Sequence, residues 1–178
     1  MERLIDISIV NPSIRTENWI DICNVFKDSN TANFELIFVG PNIPEFGLPK
    51  EINFIHSTTK PAQCAEIGFR AAKGEYVMNT ADDLLFPAGH LDFLLNEYKN
   101  NYKDTLTMLS GVYGDNNTIF SECASHLHQS DPRSPLVPLC GFWPKELRDK
   151  VGSIDNKFIC VAWDLDISLR LYEIGAKF

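Results

Sequence analysis

Residues 1–100 alternate between short apolar runs and longer amphipathic segments, and this alternation limits the fold more than any other feature of the sequence. β-Branched and aromatic residues dominate the short runs, whereas the longer segments repeat apolar residues at helical spacing. Strands that alternate with helices favour a mostly parallel sheet covered by helices on both faces. The predicted elements are strand 4–10, helix 17–27, strand 34–39, strand 52–55, helix 61–73, strand 76–78 and helix 87–100.

The rest of the chain has a weaker pattern but no internal repeat, linker or change in composition. We therefore predict one α/β, Rossmann-like domain over residues 1–178. The elements predicted after residue 100 are strand 105–113, turn 114–117, strand 118–123, polar loop 124–139, helix 144–151 and helix 163–174.

Net charge and cysteine usage exclude several classes of protein. A formal charge of −8 argues against a nucleic-acid partner, because phosphate backbones require clustered Lys and Arg. Five scattered cysteines without a CxxC pair argue against a disulfide framework and favour a reducing compartment. Since no apolar run could span a bilayer, we predict a cytoplasmic protein without a transmembrane segment and leave peripheral membrane attachment open. The sequence does not determine the oligomeric state.

Two adjacent carboxylates, Asp82 and Asp83, follow a short apolar run that begins after Gly74. We expect Gly74 to end a helix in the left-handed conformation and Pro87 to begin the next helix. Open α/β sheets hold ligands at the carboxyl ends of their strands, where these carboxylates are predicted to lie. Judged on the pair alone, a solvated turn or a helix cap is favoured over a metal site.

Nucleotide binding would need a device other than a glycine-rich loop. The turn after the first predicted strand, residues 11–16, contains no glycine, and neither GxGxxG nor GxxxxGK[ST] occurs in the chain. A divalent cation held by one or two carboxylates can neutralise a diphosphate instead, and Asp82 and Asp83 have the right chemistry for it.

A third group of residues surrounds the start of the final predicted helix. Asp164 follows Trp163 there, and Asp166 and Arg170 are spaced for an i,i+4 ion pair. Asp164 suits either a helix cap, which is the commoner role of a single Asp, or a general base.

In order and spacing, three sets of residues resemble the inverting glycosyltransferases of family 2, which have the GT-A fold. The third set is the most specific of the three, since several of its positions match at fixed offsets. They are Pro12-Ser13; then Gly68, Ala72, Gly74–Val77, Ala81–Asp83 and Pro87; then Gly141–Leu147, Val151-Gly152, Asp155, Trp163-Asp164, Asp166-Ile167, Leu169–Leu171 and Gly175.

The resemblance implies a nucleotide-sugar-binding half over residues 1–100, with a UDP-sugar or GDP-sugar as donor. The residues expected near the nucleotide sugar are Pro12, Ser13, Arg15, Ala81 and Asp82, and Lys60 follows a predicted strand at the same sheet edge. Asp82 matches the acidic residue of the DxD-type motif that binds Mn²⁺ or Mg²⁺ and the diphosphate, with Asp83 in support.

The resemblance also implies an acceptor-side half over residues 101–178, for a carbohydrate or lipid-linked acceptor. Asp164 matches the base that deprotonates the acceptor hydroxyl for in-line attack. Phe142 and Trp163 are candidates to stack on an acceptor sugar, although aromatic residues are more often part of the core.

Four departures from the family pattern keep other functions open. Thr80 stands at the first acidic position of the motif, Asn42 follows the second strand where an acidic residue is common, and Glu66 replaces an Asn. The fourth is the end at Phe178, which fits either a compact member or a piece of a longer protein. The alternatives are a catalytically silent sugar- or nucleotide-binding domain or scaffold and, less favoured, a nucleotidyltransferase.

Two histidines, His126 and His128, form an HxH pair in the predicted polar loop. No other ligand cluster is near them in sequence, so we favour a solvated loop over a metal site. If that loop folds over the ligand, His128 or Arg133 would contact phosphate.

Overall fold

A six-stranded mixed sheet forms the centre of the computed structural model, which describes residues 4–84, 86–110, 124–126, 130–131, 133–134, 136–138 and 140–178. The strand order is β3-β2-β1-β4-β8-β5, and β6 and β7 form a separate antiparallel pair. The first four strands of that order are parallel, whereas β8 runs antiparallel to both β4 and β5. The strands are β1 (Ile7–Pro12), β2 (Phe34–Gly40), β3 (Ile52–His56), β4 (Tyr76–Asn79), β5 (Leu109–Ser110), β6 (Ala124–His126), β7 (Leu136–Pro138) and β8 (Gly141–Pro144).

Helices cover both faces of the sheet, which confirms the predicted architecture of a mostly parallel sheet flanked by helices in one domain. Helices α1 and α3 pack on one face, and α2, α4 and α5 pack on the other. No helix in the described part of the chain combines the length and the apolar character needed to cross a membrane. The helices are α1 (Trp19–Ser29, after a 3₁₀ turn at Thr16–Asn18), α2 (Pro61–Ala71), α3 (His90–Asn101), α4 (Lys145–Val151) and α5 (Trp163–Glu173).

The alternation of side chains along β1 explains why the sheet carries two apolar layers. Ile7 and Ile9 belong to the layer that contains α1 and α3, whereas Val10 belongs to the layer that contains α2. In the first layer the Trp19 ring stacks on Phe38, with centroids 4.4 Å apart. Strands β1, β2 and β4 are buried on both faces and mostly apolar, as such strands usually are.

Several boundaries in the first half differ from the predictions by two or three residues, and two of them have a clear reason. Helix α3 begins at His90 rather than at Pro87, because Gly89 takes a left-handed conformation (φ 73°) directly before it. Gly74 is not a left-handed cap, since the positive-φ glycines of the described chain are Gly89, Gly152 and Gly175. Instead, the backbone packs so closely at Gly74 that an added Cβ would lie 2.6 Å from the Ser8 nitrogen.

The second half differs more. Strand β8 was not predicted, yet it lies inside the sheet between β4 and β5, and α4 begins only after it. The segment predicted as a loop, residues 124–139, contains β6 and β7. Of the strand predicted at 105–113, the structure describes β5 and a bridge between Thr107 and Lys177. The predicted turn 114–117, strand 118–123 and His128 lie outside the described residues.

We expect Gly40→Ala to destabilise the protein by roughly 1–3 kcal/mol, because the new Cβ would lie 1.8 Å from the Ser13 carbonyl oxygen and backbone must move. The matched control is Gly47→Ala, where a Cβ meets nothing within 4 Å. Urea unfolding of both variants measures the difference, and equal stabilities would contradict the prediction.

Candidate functional site

A cleft of about 420 Å³ opens at the carboxyl ends of β1, β2 and β4. This volume lies within the range of small-molecule sites. The chain passes from β1 to β2 on one side and later places β4 on the other, so the cleft lies at the switch point where open α/β sheets bind ligands. The cleft is lined by Pro12–Arg15, Val39–Pro41, Thr59, Pro61, Cys64 and Ala81–Asp83.

The Asp82 carboxylate is the most heavily hydrogen-bonded group of the cleft. Its Oδ2 accepts hydrogen bonds from the Ser13 hydroxyl (2.7 Å) and from the backbone N–H groups of Ile14 (2.9 Å) and Arg15 (2.8 Å). Its Oδ1 accepts one from Nη1 of Arg15 (2.7 Å). The turn after β1 thus wraps around a carboxylate that follows β4, and the Asp82 residue is only 3% exposed.

Further hydrogen bonds hold this turn in place. The Trp19 indole N–H donates to the Ser13 hydroxyl (2.7 Å), and Asn18 donates to the Asp82 carbonyl (2.8 Å). Asn42, which follows the second strand where an acidic residue is common in the family, donates to the Ile14 carbonyl (2.7 Å). The conformation of the turn is therefore fixed by groups at the start of α1 and in the segments that follow β2 and β4.

Opposing effects act on the pKa of Asp82. Burial by itself would raise it, but the hydrogen bonds from Ser13, Arg15 and Ile14 outweigh burial and hold the pKa below its usual value. The hydrogen bond to Asp82 also raises the pKa of Arg15, and the charges of Asp82 and Asp83 add to this rise. Both groups of the pair are ionised at neutral pH.

Asp83 differs from its neighbour in exposure and in contacts. Its side chain is 53% exposed, and one of its oxygens lies 3.2 Å from Nη1 of Arg15. Nη1 therefore bridges the two carboxylates. Among the described residues, nothing pairs with Nε or Nη2 of Arg15, whose side chain is 44% exposed.

A divalent cation does not fit Asp82 as the residue is arranged here. A carboxylate oxygen has about two lone-pair sites, and Oδ2 already accepts three hydrogen bonds. A cation at Oδ1 would meet a guanidinium bound to the same oxygen. No group of three or more His, Cys, Asp or Glu side chains suited to a metal occurs in the described part of the chain. The predicted Mn²⁺ or Mg²⁺ stays a prediction that this geometry does not favour.

Asp164 lies at the start of α5, outside the lining of the cleft. It is partly buried, and burial raises its pKa above the ordinary value, an effect that backbone hydrogen bonds reduce but do not cancel. Its Oδ1 accepts the Leu165 N–H (2.9 Å), and no cation pairs with it among the described residues. A carboxylate with a raised pKa is a stronger proton acceptor than an ordinary aspartate.

Glu66 ties the segment before α5 to α2. It accepts hydrogen bonds from Arg148 (2.6 Å) and from the Ile154 N–H (2.9 Å), and Arg70 binds its other oxygen (2.7 Å). Arg170 of α5 donates to the carbonyls of Val151 (2.6 Å) and Ser153 (3.0 Å). These contacts orient the helix that carries Asp164, which gives a structural reason for Glu66 in place of an Asn.

Besides Asp164, three predicted site residues do not line the cleft. Phe142 is fully buried and stacks on Tyr76 at 5.3 Å, so its predicted contact with an acceptor is wrong for this structure. Trp163 is 8% exposed and packs edge-on against Phe69, which makes it mainly a core residue. Lys60 precedes α2 with an exposed side chain, next to Thr59 and Pro61 of the lining.

Several residues of the cleft had no signal in the sequence. The N–H groups that bind Asp82 belong to the backbone, so no residue type marks them. Gly40 matters because the chain passes Ser13 too closely for any side chain, which no local pattern reveals. Cys64 lines the cleft as a buried thiol whose pKa is raised by that burial.

Three crystal structures of TarS from S. aureus, a glycosyltransferase, share this architecture. The TM-scores are 0.65 for TarS and 0.63 and 0.64 for TarS 1-349, the last in complex with UDP, at 15%, 15% and 16% identity. The chain therefore shares the fold of these TarS structures. The matches cover 94% of this chain, which spans a third of the TarS chain and about half of TarS 1-349. No protein-family model matches the sequence, and neither does any curated protein.

We expect Asp82→Asn to lower the free energy of unfolding by roughly 1–3 kcal/mol at pH 7, because an amide nitrogen would face a guanidinium or N–H donors. The pKa of Asp82 is lower in the folded protein than in the unfolded chain. Its ionised carboxylate therefore stabilises the fold above the pKa of the unfolded state, and this stabilisation is lost as the pH falls through the pKa of the folded state. The stability gap to the wild type should therefore narrow below about pH 4. Thermal unfolding from pH 7 to pH 3 measures the gap, and a constant gap would refute the assignment.

Proposed function

We propose that this chain is a glycosyltransferase domain that transfers a sugar from a nucleotide-diphosphate donor to an acceptor hydroxyl, with inversion at the anomeric carbon. The observation that carries the proposal is the cleft, because it gathers Pro12, Ser13, Arg15, Ala81 and Asp82 around one space in a glycosyltransferase-like fold. The UDP bound by TarS 1-349 makes a UDP-sugar the first donor to test.

In the proposed reaction, the Asp164 carboxylate takes the proton of the acceptor hydroxyl. The acceptor oxygen then forms a bond to the anomeric carbon as the bond from that carbon to the diphosphate oxygen breaks, and the nucleoside diphosphate leaves with the bonding electrons. Burial of Asp164 favours this step, since it raises the affinity of the carboxylate for a proton. A single displacement inverts the configuration without a covalent intermediate.

Nucleotide binding is the first requirement of the proposal. A thermal-shift panel of UDP-, GDP-, CMP- and dTDP-sugars, each with Mn²⁺ and with EDTA, tests it, because a ligand of the native state raises the unfolding midpoint. No shift with any donor in either condition would refute the proposed function. A shift without transfer to any acceptor or to water would instead support a silent binding domain.

We expect Asp164→Asn to retain donor binding and to lose about 10²- to 10⁴-fold in turnover, the usual contribution of a general base. The matched control is Asp166→Asn on the same helix, whose carboxylate pairs with Arg170 (2.7 Å) and is assigned a structural role. Release of nucleoside diphosphate under saturating donor measures both variants. Full turnover in Asp164→Asn would make the assignment of the base wrong.

We also expect Asp164 to set the acid limb of the pH profile. Because its pKa is raised, kcat/KM should fall at a pH above the range of an ordinary aspartate, whose pKa is about 3.9. The raised pKa also means that the ionised carboxylate costs stability at neutral pH, so Asp164→Asn should unfold no more easily than the wild type. A profile that is flat down to pH 4 would contradict this role.

A further inference from the structure

The predicted metal site and the observed contacts of Asp82 disagree, and the disagreement points to another cation. Oδ2 of Asp82 is occupied by three donors, and Oδ1 is bound to the Arg15 guanidinium. A positive charge thus already lies beside the carboxylate where a divalent cation was expected. It belongs to a side chain of the cleft lining.

We infer that the guanidinium of Arg15, in place of a divalent cation on Asp82, binds the diphosphate of the nucleotide sugar, so that donor binding does not require a metal. This inference rests on the proposed function and narrows the predicted role of Arg15, which was expected only to lie near the nucleotide sugar. It assigns Asp82 the role of a positioning residue that orients Arg15.

The geometry of Arg15 suits this role. One nitrogen, Nη1, is held by Asp82, while Nε and Nη2 have no partner among the described residues. A planar guanidinium presents several N–H donors in a fixed fork that matches the oxygens of a phosphate group. Fixing one nitrogen on a buried carboxylate orders the side chain before the ligand arrives, which lowers the entropic cost of binding.

The charges around the cleft are consistent with a diphosphate as the ligand. The negative charge of Asp82 is shared by the Ser13 hydroxyl and two backbone N–H groups in addition to Arg15. Lys60 adds an exposed ammonium next to the lining, at the N-terminus of α2. Asp83 is the group that opposes the diphosphate, because it is exposed and competes for Nη1 of Arg15.

Calorimetric titration with UDP, GDP, CDP and dTDP, each in EDTA and in Mn²⁺, tests the inference on the wild-type protein. We expect the affinity of the tightest nucleotide to differ by less than about two-fold between the two conditions. Binding that appears only with Mn²⁺, or that strengthens ten-fold with it, would overturn the inference and leave the proposed function standing. Absence of binding in both conditions would overturn the proposed function as well.

Variants of Arg15 test the contact itself. In EDTA, Arg15→Gln should lower the affinity for the nucleoside diphosphate at least ten-fold and leave the affinity for the corresponding nucleoside unchanged, because Arg15 contacts only the diphosphate. Arg15→Lys should retain part of the affinity, since it keeps the charge and loses the fork. Lys27→Gln is the control, because Lys27 lies on α1 outside the cleft lining. An equal loss of nucleoside and nucleotide, or no loss, would overturn the inference.

Asp83→Asn should change nucleotide affinity in opposite directions depending on whether Arg15 or a metal ion binds the diphosphate. If Arg15 binds the diphosphate, removal of the competing carboxylate should tighten nucleotide binding in EDTA. If Asp83 is a metal ligand, the same change should weaken binding in Mn²⁺, and that result would overturn the inference. Circular dichroism and thermal unfolding of each variant check that the protein is folded; Asp83 is exposed, so its variant leaves the core intact.

Discussion

The Asp82 carboxylate, enclosed by the turn after β1, is the interaction on which the candidate site depends. It joins residues 69 positions apart in sequence, since Ser13 and Asp82 follow neighbouring parallel strands. A buried carboxylate is stable only where donors replace water, and here a hydroxyl, two backbone N–H groups and a guanidinium do so. The shape of the cleft, the orientation of Arg15 and the exposure of Asp83 all follow from this one enclosure.

A second buried carboxylate, Glu66, organises the packing of α2, α4 and the segment before α5. Glu66 on α2 binds Arg148 of α4 and the backbone before α5, while Arg170 binds carbonyls of the same segment. Burial opposes ionisation of Glu66, but the hydrogen bonds and charges around it hold its pKa below the usual value. In the proposed enzyme, one ion-pair network shapes the donor cleft and another orients the helix of the proposed base.

Both networks place the proposed chemistry on strand ends and helices, which suits the fixed positions that the proposed in-line displacement needs. The proposed donor cleft is built from three strand ends and the start of α2, and the proposed base lies on the first turn of α5. Metal dependence is the point on which the family resemblance and the geometry diverge. The match to the DxD-type motif implies a cation at Asp82, whereas Oδ2 of Asp82 already accepts three hydrogen bonds and Oδ1 binds the Arg15 guanidinium.

The alternation of elements in residues 1–100 correctly predicted the parallel sheet and its two helical layers, because strand and helix periodicities are local properties of the chain. Strand β8 escaped prediction, since Gly141–Pro144 is only four residues long and becomes a strand by pairing with distant β4 and β5. Likewise, the sequence identified Ser13, Arg15 and Asp82 as candidates but not their mutual contacts. The sequence by itself determined the residue types and the local patterns. Only the tertiary structure decided which lone pairs are free, which aromatic rings are buried and which backbone N–H groups converge, because these depend on contacts between distant segments.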